Sequence, residues 1–151
     1  IDVSGNIMSG PIPPTLLKGT DKDEEIYLDL SSNNFIGEVP GELARFEKMT
    51  IYLRDNLITG VNPALCKNDA WNDGDVGDFN CDGILCPAGT FSEDYGRQTT
   101  GGQLAQCRQC GKAKYFGASF CGARSSAAST RIGFAIGVVS ASISVMVIAL
   151  I

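Results

Sequence analysis

The sequence predicts a solenoid of stacked parallel strands, followed by a small disulfide-rich module and one membrane-spanning helix. Three observations predict this order: an apolar pattern that repeats through residues 1–65, six cysteines confined to residues 66–121, and an uncharged run over residues 132–151. Similarity at a regular spacing is typical of repeat proteins, in which each unit buries its apolar side against the next. One chain of 151 residues therefore combines three structural environments.

The repeat is clearest when residues 1–16 are aligned with residues 28–43. At a shift of 27 residues the matching positions are Ile1, Val3, Asn6, Met8, Gly10, Ile12, Pro13 and Leu16 with Leu28, Leu30, Asn33, Phe35, Gly37, Val39, Pro40 and Leu43. A third copy lies 23 residues further on, at Ile51, Leu53, Asn56, Ile58, Gly60 and Pro63. Because residue 1 already lies inside a repeat, we expect residues 1–65 to be the C-terminal end of a longer solenoid.

Each copy predicts the same local structure. A Leu-x-Leu piece should form a short strand with buried apolar side chains and solvated side chains between them. Asn6, Asn33 and Asn56 should satisfy backbone groups where the chain leaves that strand. Residues 10–13 and 37–40 predict a flexible turn and an extended step, because Pro lacks the donor that a central strand needs. The apolar spacing of three within residues 43–49 predicts a short helical or 3₁₀ return on the convex side, which includes Met49.

The pattern L-x-L-x-x-N-x-F-x-G-x-V-P resembles the plant-type leucine-rich repeat, and the Gly-x-Ile/Val-Pro element is the specific mark of that type. The resemblance covers residues 1–65. Members of this family are mostly extracellular recognition modules of receptor-like proteins and receptor kinases, or secreted inhibitors. The resemblance therefore implies a leucine-rich-repeat α/β solenoid, with a parallel sheet and short helical or 3₁₀ returns.

Outward strand positions should line the concave surface, which repeat proteins use to bind extended partners. The candidate ligand-binding residues are Asp29, Ser31, Ser32, Tyr52, Arg54 and Asp55, after Asp2 and Ser4 of the first copy. Tyr52 and Arg54 are the strongest individual candidates, since Tyr and Arg are enriched at binding hot spots. The alternative is that these positions are merely solvated. The predicted ligand is an extracellular protein, peptide or glycan.

The six cysteines lie in a loop-rich segment, at Cys66, Cys81, Cys86, Cys107, Cys110 and Cys121. An even number in such a segment predicts disulfides and an oxidising compartment. Zinc is the competing interpretation, because Cys107 and Cys110 form a Cys-x-x-Cys pair. A zinc site would need a second such pair or two histidines, and the chain has no histidine. Of the many pairings that six cysteines allow, our hypothesis is the sequential one.

The cysteine-containing part divides into a cap and a module. Residues 66–83 predict a cap, because the last coil of a solenoid otherwise exposes its core. Cys66 takes a core position of the repeat, so a Cys66–Cys81 bridge with Trp71 over the open end would meet that need. Residues 84–121 resemble small extracellular modules that open with C-P-x-G-T-F, and also the segment that follows the repeats in receptor-like proteins of microalgae. They serve either as a stalk or as an extension of the cap.

Catalytic and metal-binding patterns are weak in this chain. Residues 78–83 match the opening of an EF-hand loop, but its twelfth position is Gly89, which has no carboxylate. Without histidine there is no Ser-His or Cys-His dyad. The acidic repeats argue against nucleic acid as a partner. We therefore predict no enzyme activity, no metal and no cofactor.

Residues 122–131 are small and polar and predict a linker. Residues 132–151 predict one transmembrane helix in contact with membrane lipid, because 20 uncharged residues at about 1.5 Å each match a hydrocarbon core of about 30 Å. Within this run Gly133, Gly137 and Ala141 recur every four residues, a spacing that favours a helix dimer.

The predicted orientation rests on the cysteines. The basic residues of the segment before the helix would favour a cytoplasmic location, but long domains translocate largely regardless of charge. Disulfides place the N-terminal part outside the cell. We therefore expect a single-pass plasma-membrane protein with an extracellular N-terminal part, acting as a receptor or co-receptor. The alternatives are an adhesion or wall-associated structural protein and an inhibitor of extracellular hydrolases.

Overall fold

The structure is a computed structural model, which describes residues 1–122. Nearly all of the predicted linker, the predicted transmembrane helix over residues 132–151 and the predicted dimer positions Gly133, Gly137 and Ala141 lie outside the described residues. Within residues 1–122, no helix is long and apolar enough to cross a membrane.

The three repeat copies fold as stacked coils. In chain order, the regular elements of the described residues are β1 (Ser9–Pro11), β2 (Glu25–Asp29), β3 (Asn34–Val39), β4 (Lys48–Tyr52), β5 (Leu57–Val61), α1 (Asp75–Phe79), β6 (Thr90–Phe91) and β7 (Arg108–Gln109). The predicted Leu-x-Leu strands form one parallel sheet, in which Leu28 of β2 lies opposite Ile51 of β4. A single parallel bridge from Asp2 to Asp29 extends this sheet to the first copy. The parallel strands confirm the predicted solenoid.

A second parallel sheet runs along the other side of the coils, with the strand order β1–β3–β5. It occupies the pieces predicted as a turn with an extended step. The extended step is present at residues 38–39, but the glycine before it belongs to the strand and not to a turn. Gly10 and Gly37 lie inside the strands with φ of 91° and 80°, a conformation that glycine adopts without strain. Pro40 does not disrupt the ladder, because β3 ends at Val39 immediately before it.

The apolar positions of the repeat form the core. Among those with at most 6% exposure are Leu28, Leu30, Phe35, Val39, Leu43, Ile51, Leu53 and Ile58. The predicted 3₁₀ return is present at Gly41–Arg45 and buries Leu43. Met49, which was predicted to belong to the return, lies instead in β4, because that strand begins at Lys48.

Buried asparagines join each coil to the one before it. The Oδ1 atom of Asn33 accepts a hydrogen bond from the Met8 amide at 3.0 Å, and Oδ1 of Asn56 accepts one from the Phe35 amide at 3.0 Å. The Nδ2 group of Asn56 donates back to the Leu30 carbonyl at 2.9 Å. One side chain thus satisfies both donors and acceptors at the turn, as predicted for Asn33 and Asn56.

We expect Asn33→Ala to lower the free energy of unfolding by about 1–3 kcal/mol, because buried partners of the amide lose their hydrogen bonds. Urea denaturation of the full chain in detergent measures this loss. The control is Asn34→Ala, since the half-buried Asn34 side chain forms no hydrogen bond among the described residues. Equal losses for the two neighbouring asparagines would contradict the linking role of Asn33.

Residues 66–83 close the C-terminal end of the solenoid. Trp71 is fully buried, and its indole N–H donates to the Phe46 carbonyl at 2.9 Å. The strand β4 is the last one of the first parallel sheet, and side chains cover its open edge. The Ile51 amide donates to Oδ1 of Asn72 at 2.8 Å, and the Ile51 carbonyl accepts from Arg97 at 3.2 Å. These two side chains replace the strand of a further coil and protect an exposed sheet edge.

The cysteine-rich module packs directly on the last coil. Three disulfides, Cys66–Cys81, Cys86–Cys107 and Cys110–Cys121, join the cysteines in the sequential order of our hypothesis. The Asp55 amide donates to the Gly117 carbonyl at 3.0 Å, and the Phe116 amide donates to the Ile58 carbonyl at 3.0 Å. These contacts are the ones expected if the cysteine-rich module extends the cap.

Candidate ligand-binding face

Alternation along two strands creates an outward surface, which we call the β2–β4 face. Its residues are Glu25, Tyr27 and Asp29 of β2 with Lys48, Thr50 and Tyr52 of β4. The residues between them, such as Ile26 and Ile51, are buried in the core. The β2–β4 face is the surface that the sequence predicts to be concave and to bind a ligand.

Three of the predicted binding residues lie at the end of β2 or just after it. Asp29 is half-buried, and its Oδ1 atom accepts hydrogen bonds from the Ser31 amide at 2.9 Å and the Ser31 hydroxyl at 2.6 Å. Ser31 does not point outward as predicted, since it is only 5% exposed. Ser32 is half-buried, and its amide donates to the Arg54 carbonyl at 2.9 Å. Ser31 therefore orients the Asp29 carboxylate.

Two of the predicted binding residues, Tyr52 and Arg54, lie beside an aromatic ring of the cysteine-rich module. The Tyr52 ring meets the Tyr95 ring edge-on, with centroids 4.9 Å apart. The guanidinium carbon of Arg54 lies 5.8 Å from the centroid of the same ring. Both side chains are half-buried, so each keeps an exposed portion for a ligand.

Asp55 has a different role from the one predicted. Its two carboxylate oxygens accept hydrogen bonds from the Ser119 amide at 3.1 Å and the Ser119 hydroxyl at 2.6 Å. The carboxylate thus holds the C-terminal part of the module against the last coil. A ligand would have to compete with Ser119 for these oxygens.

Sequence reasoning missed two tyrosines of this surface. The Tyr27 ring lies 5.5 Å from the Tyr52 ring, and Tyr95 follows on the other side of Tyr52. The alternation from Glu25 could have revealed Tyr27, but the strand was predicted to begin at Leu28. No sequence pattern indicates Tyr95, because the module reaches the face only through tertiary packing.

Arg97 supports the tyrosines from below. It is 4% exposed, and one of its Nη atoms lies 3.5 Å from an Asp75 carboxylate oxygen. Its guanidinium carbon is 5.1 Å from the Tyr52 ring centroid and 5.4 Å from the Tyr95 ring centroid. One buried cation therefore connects the cap, the edge of β4 and the aromatic surface.

Burial changes the pKa of two ionisable groups beside Arg97. Burial raises the pKa of the Asp75 carboxyl above its ordinary value, while the charge of Arg97 opposes that shift. Burial likewise raises the pKa of the Tyr52 phenol, again against Arg97. At the other end of the face, a hydrogen bond from the Ser4 amide lowers the pKa of Asp2 and favours its ionised form.

We expect Asp82→Asn to stabilise the protein at pH 7 by at most about 0.5 kcal/mol, because burial raises the pKa of the Asp82 carboxyl. A folded-state pKa above the unfolded one means that the folded chain takes up the proton first as the pH falls. The charged form therefore costs stability at neutral pH, and the advantage of Asn should vanish as the pH approaches 4. Urea midpoints at pH 7 and pH 4 measure this. An advantage that grows on acidification would contradict the assignment.

The EF-hand-like run is not an open loop. Asp78 lies in α1, and Asn80–Gly83 forms the 3₁₀ turn that follows. Within residues 1–122, no group of three or more Cys, Asp or Glu side chains is placed to hold a metal ion.

Comparison with known families identifies the central coil. The family model described as Leucine Rich Repeat matches residues 26–46, which include all but the first residue of β2, the whole of β3 and the 3₁₀ return at Gly41–Arg45. Searches of curated proteins and of solved structures found no significant match. The chain therefore contains a leucine-rich repeat, as predicted. Such repeats are protein-interaction domains and are typically not enzymatic, which suggests a protein partner for this chain.

Proposed function

We propose that this chain is the extracellular part and membrane anchor of a plant-type leucine-rich-repeat receptor-like protein, which acts as a receptor or co-receptor. It binds a protein, peptide or glycan ligand at the concave face, the β2–β4 face. The observation that carries the proposal is this face itself, where Tyr27 and Tyr52 keep exposed surface beside a sheet edge that the cap has closed. Arg54, just after the end of β4, also keeps exposed surface.

The composition of the face supports recognition of a ligand. Tyr and Arg supply large contact areas at binding hot spots, and the rings of Tyr27 and Tyr52 lie side by side on neighbouring coils. Repeat proteins assemble extended binding surfaces from equivalent positions of successive coils. The cysteine-rich module contributes Tyr95 to the same surface, so the candidate binding face does not end with the last repeat.

The extracellular location is supported by the disulfides. Three disulfides within residues 66–121 are typical of proteins that fold in an oxidising compartment. The proposed anchor is the uncharged run over residues 132–151. Antibody staining of intact cells that express the full-length protein with a tag before Ile1 tests the location. We expect staining without permeabilisation, and staining only after permeabilisation would refute it.

We expect the double substitution Tyr52→Ala/Arg54→Ala to weaken ligand binding at least tenfold, because hot-spot residues contribute about 2 kcal/mol or more each. The full-length protein in nanodiscs is screened against a library of extracellular proteins, peptides and glycans, and the affinity of each ligand found is compared with that of the double variant. The control is Lys112→Ala/Lys114→Ala, two exposed lysines of the module. Unchanged affinity in the tyrosine–arginine variant would remove both residues from the site.

A further inference from the structure

Three of the four tyrosines of the chain form a continuous row, Tyr27–Tyr52–Tyr95, that crosses from the sheet to the cysteine-rich module. Tyr27 is 52% exposed and Tyr95 is 42% exposed. Folding therefore leaves about half of each of these two residues exposed to water, although buried aromatic rings dominate the energetics of cores and interfaces. The tyrosine row is thus an aromatic contact surface that a partner can cover.

The backbone around Tyr95 holds its ring in this row. Tyr95 and Gly96 have φ of 58° and 65°, and the Arg97 amide donates to the Asp94 carbonyl at 3.3 Å to close the turn. A left-handed conformation is unfavourable for tyrosine by about 1–2 kcal/mol. Gly96 cannot carry a side chain, because a Cβ atom there would collide with the Gly117 carbonyl. Strain of this kind is concentrated at functional sites.

The geometry of the tyrosine row favours one backbone conformation for a bound partner. The strands β2 and β4 already pair with each other in the plane of the sheet, so a partner on the face cannot add a strand. A polyproline II segment needs no such pairing, is already extended, and binds to grooves lined by aromatic rings. The ring-to-ring steps of 5.5 and 4.9 Å place the two outer rings at most about 10 Å apart, which is close to the length of about 9 Å for one turn of this helix.

The charged residues beside the tyrosine row favour a particular charge on the partner. Asp29 lies two residues after Tyr27 in β2, and Asp2 is its neighbour across the sheet. Among the ion pairs within residues 1–122, none includes Asp2 or Asp29. At the other end, Arg97 is buried against Asp75, whereas the half-buried Arg54 adds positive charge beside Tyr95. Complementarity therefore favours basic residues in the part of the partner that lies near Tyr27.

We propose that the tyrosine row binds a proline-rich segment of a partner protein in the polyproline II conformation, with arginine or lysine beside the prolines. The prolines contact Tyr27, Tyr52 and Tyr95, and the basic residues pair with Asp2 and Asp29. This inference rests on the proposed function, since it names the partner of the same face. It adds Tyr95 of the cysteine-rich module as a specificity-determining residue.

The test uses the full chain in nanodiscs of neutral lipid and a fluorescent peptide with four Pro-Pro-Arg repeats. Fluorescence anisotropy measures binding of this peptide and of two matched peptides, one with Ser in place of Pro and one with Gln in place of Arg. We expect the Pro-Pro-Arg peptide to bind, the Ser peptide to bind at least tenfold more weakly, and the Gln peptide to bind several-fold more weakly. Added salt should weaken only the peptides that contain arginine.

Variants of the chain assign the binding to the row. Tyr27→Ser and Tyr95→Asn should each weaken binding of the Pro-Pro-Arg peptide at least tenfold, and Asn tolerates the left-handed backbone at position 95. The control is Tyr115→Ser, which changes the one tyrosine outside the row. Unchanged circular dichroism and urea midpoints show that the variants remain folded.

Two results would overturn the proposal: equal binding of the Ser and Pro peptides, or unchanged binding in Tyr27→Ser and Tyr95→Asn. Failure to bind the Pro-Pro-Arg peptide at millimolar concentration would also overturn it. A photo-crosslinker at position 27 separates this failure from that of the proposed function. Crosslinking to another partner on intact cells keeps the β2–β4 face as the binding surface and rejects only the proline-rich partner, whereas no crosslinking rejects both.

Discussion

We expect Trp71→Ala to lower the free energy of unfolding by about 3–5 kcal/mol, because it leaves a cavity of tryptophan size at the capped end of the solenoid. Trp71 is fully buried and is part of the same apolar core as Phe46 and Leu65. The substitution also removes the donor to the Phe46 carbonyl. Urea denaturation of the full chain in detergent, followed by far-UV circular dichroism, measures the loss.

The control for this prediction is Trp71→Phe, which keeps most of the apolar volume. It loses the indole donor, but the Phe46 carbonyl retains its hydrogen bond from Asn68 at 3.0 Å. We therefore expect a cost of about 1 kcal/mol from the lost hydrogen bond. A similar loss for the Ala and Phe variants would mean that the hydrogen bond, and not the burial of the ring, closes the solenoid.

We expect Arg97→Ala to lower the free energy of unfolding by about 3–5 kcal/mol, because it leaves the carboxylate of Asp75 buried without its partner. The same change removes the donor to the Ile51 carbonyl at the edge of β4. It also removes the support beneath Tyr52 and Tyr95. Urea denaturation measures the loss, and near-UV circular dichroism should report the altered tyrosine environment.

A double-mutant cycle separates the charge of Arg97 from its packing. In Arg97→Met/Asp75→Asn both charges are absent and most of the side-chain volume is kept. We expect this pair to lose less stability than the sum of the two single changes, because breaking a buried ion pair costs more than replacing it. Additive losses would show that Asp75 and Arg97 act independently.

The repeated part of the fold could be predicted from the sequence. The apolar positions Leu28 and Ile51 are both fully buried and lie opposite each other, so the shift of 23 residues reappears as strand register. This works because every coil repeats the same local chemistry and contacts only its neighbours. The second sheet was missed because the proline rule was applied to the whole piece, whereas Pro40 only ends β3.

The candidate site was predictable only in part. Tyr52 and Arg54 were found because strand alternation is a local signal. Tyr95 and Arg97 could not be found, since they reach the sheet only through the packing of the cysteine-rich module. The role of Asp55 could not be predicted either, because its hydrogen-bond partner Ser119 lies 64 residues away in the chain. Tertiary contacts of this kind leave no periodic pattern.

The most direct test of recognition by the β2–β4 face is site-specific photo-crosslinking on intact cells. A photoreactive amino acid replaces either Tyr27 on this face, which is 52% exposed, or Ile36 on the second sheet, which is 46% exposed. We predict a discrete crosslinked partner from position 27 that is absent from position 36. Crosslinks from position 36 alone, or equal crosslinks from both positions, would contradict recognition by the β2–β4 face.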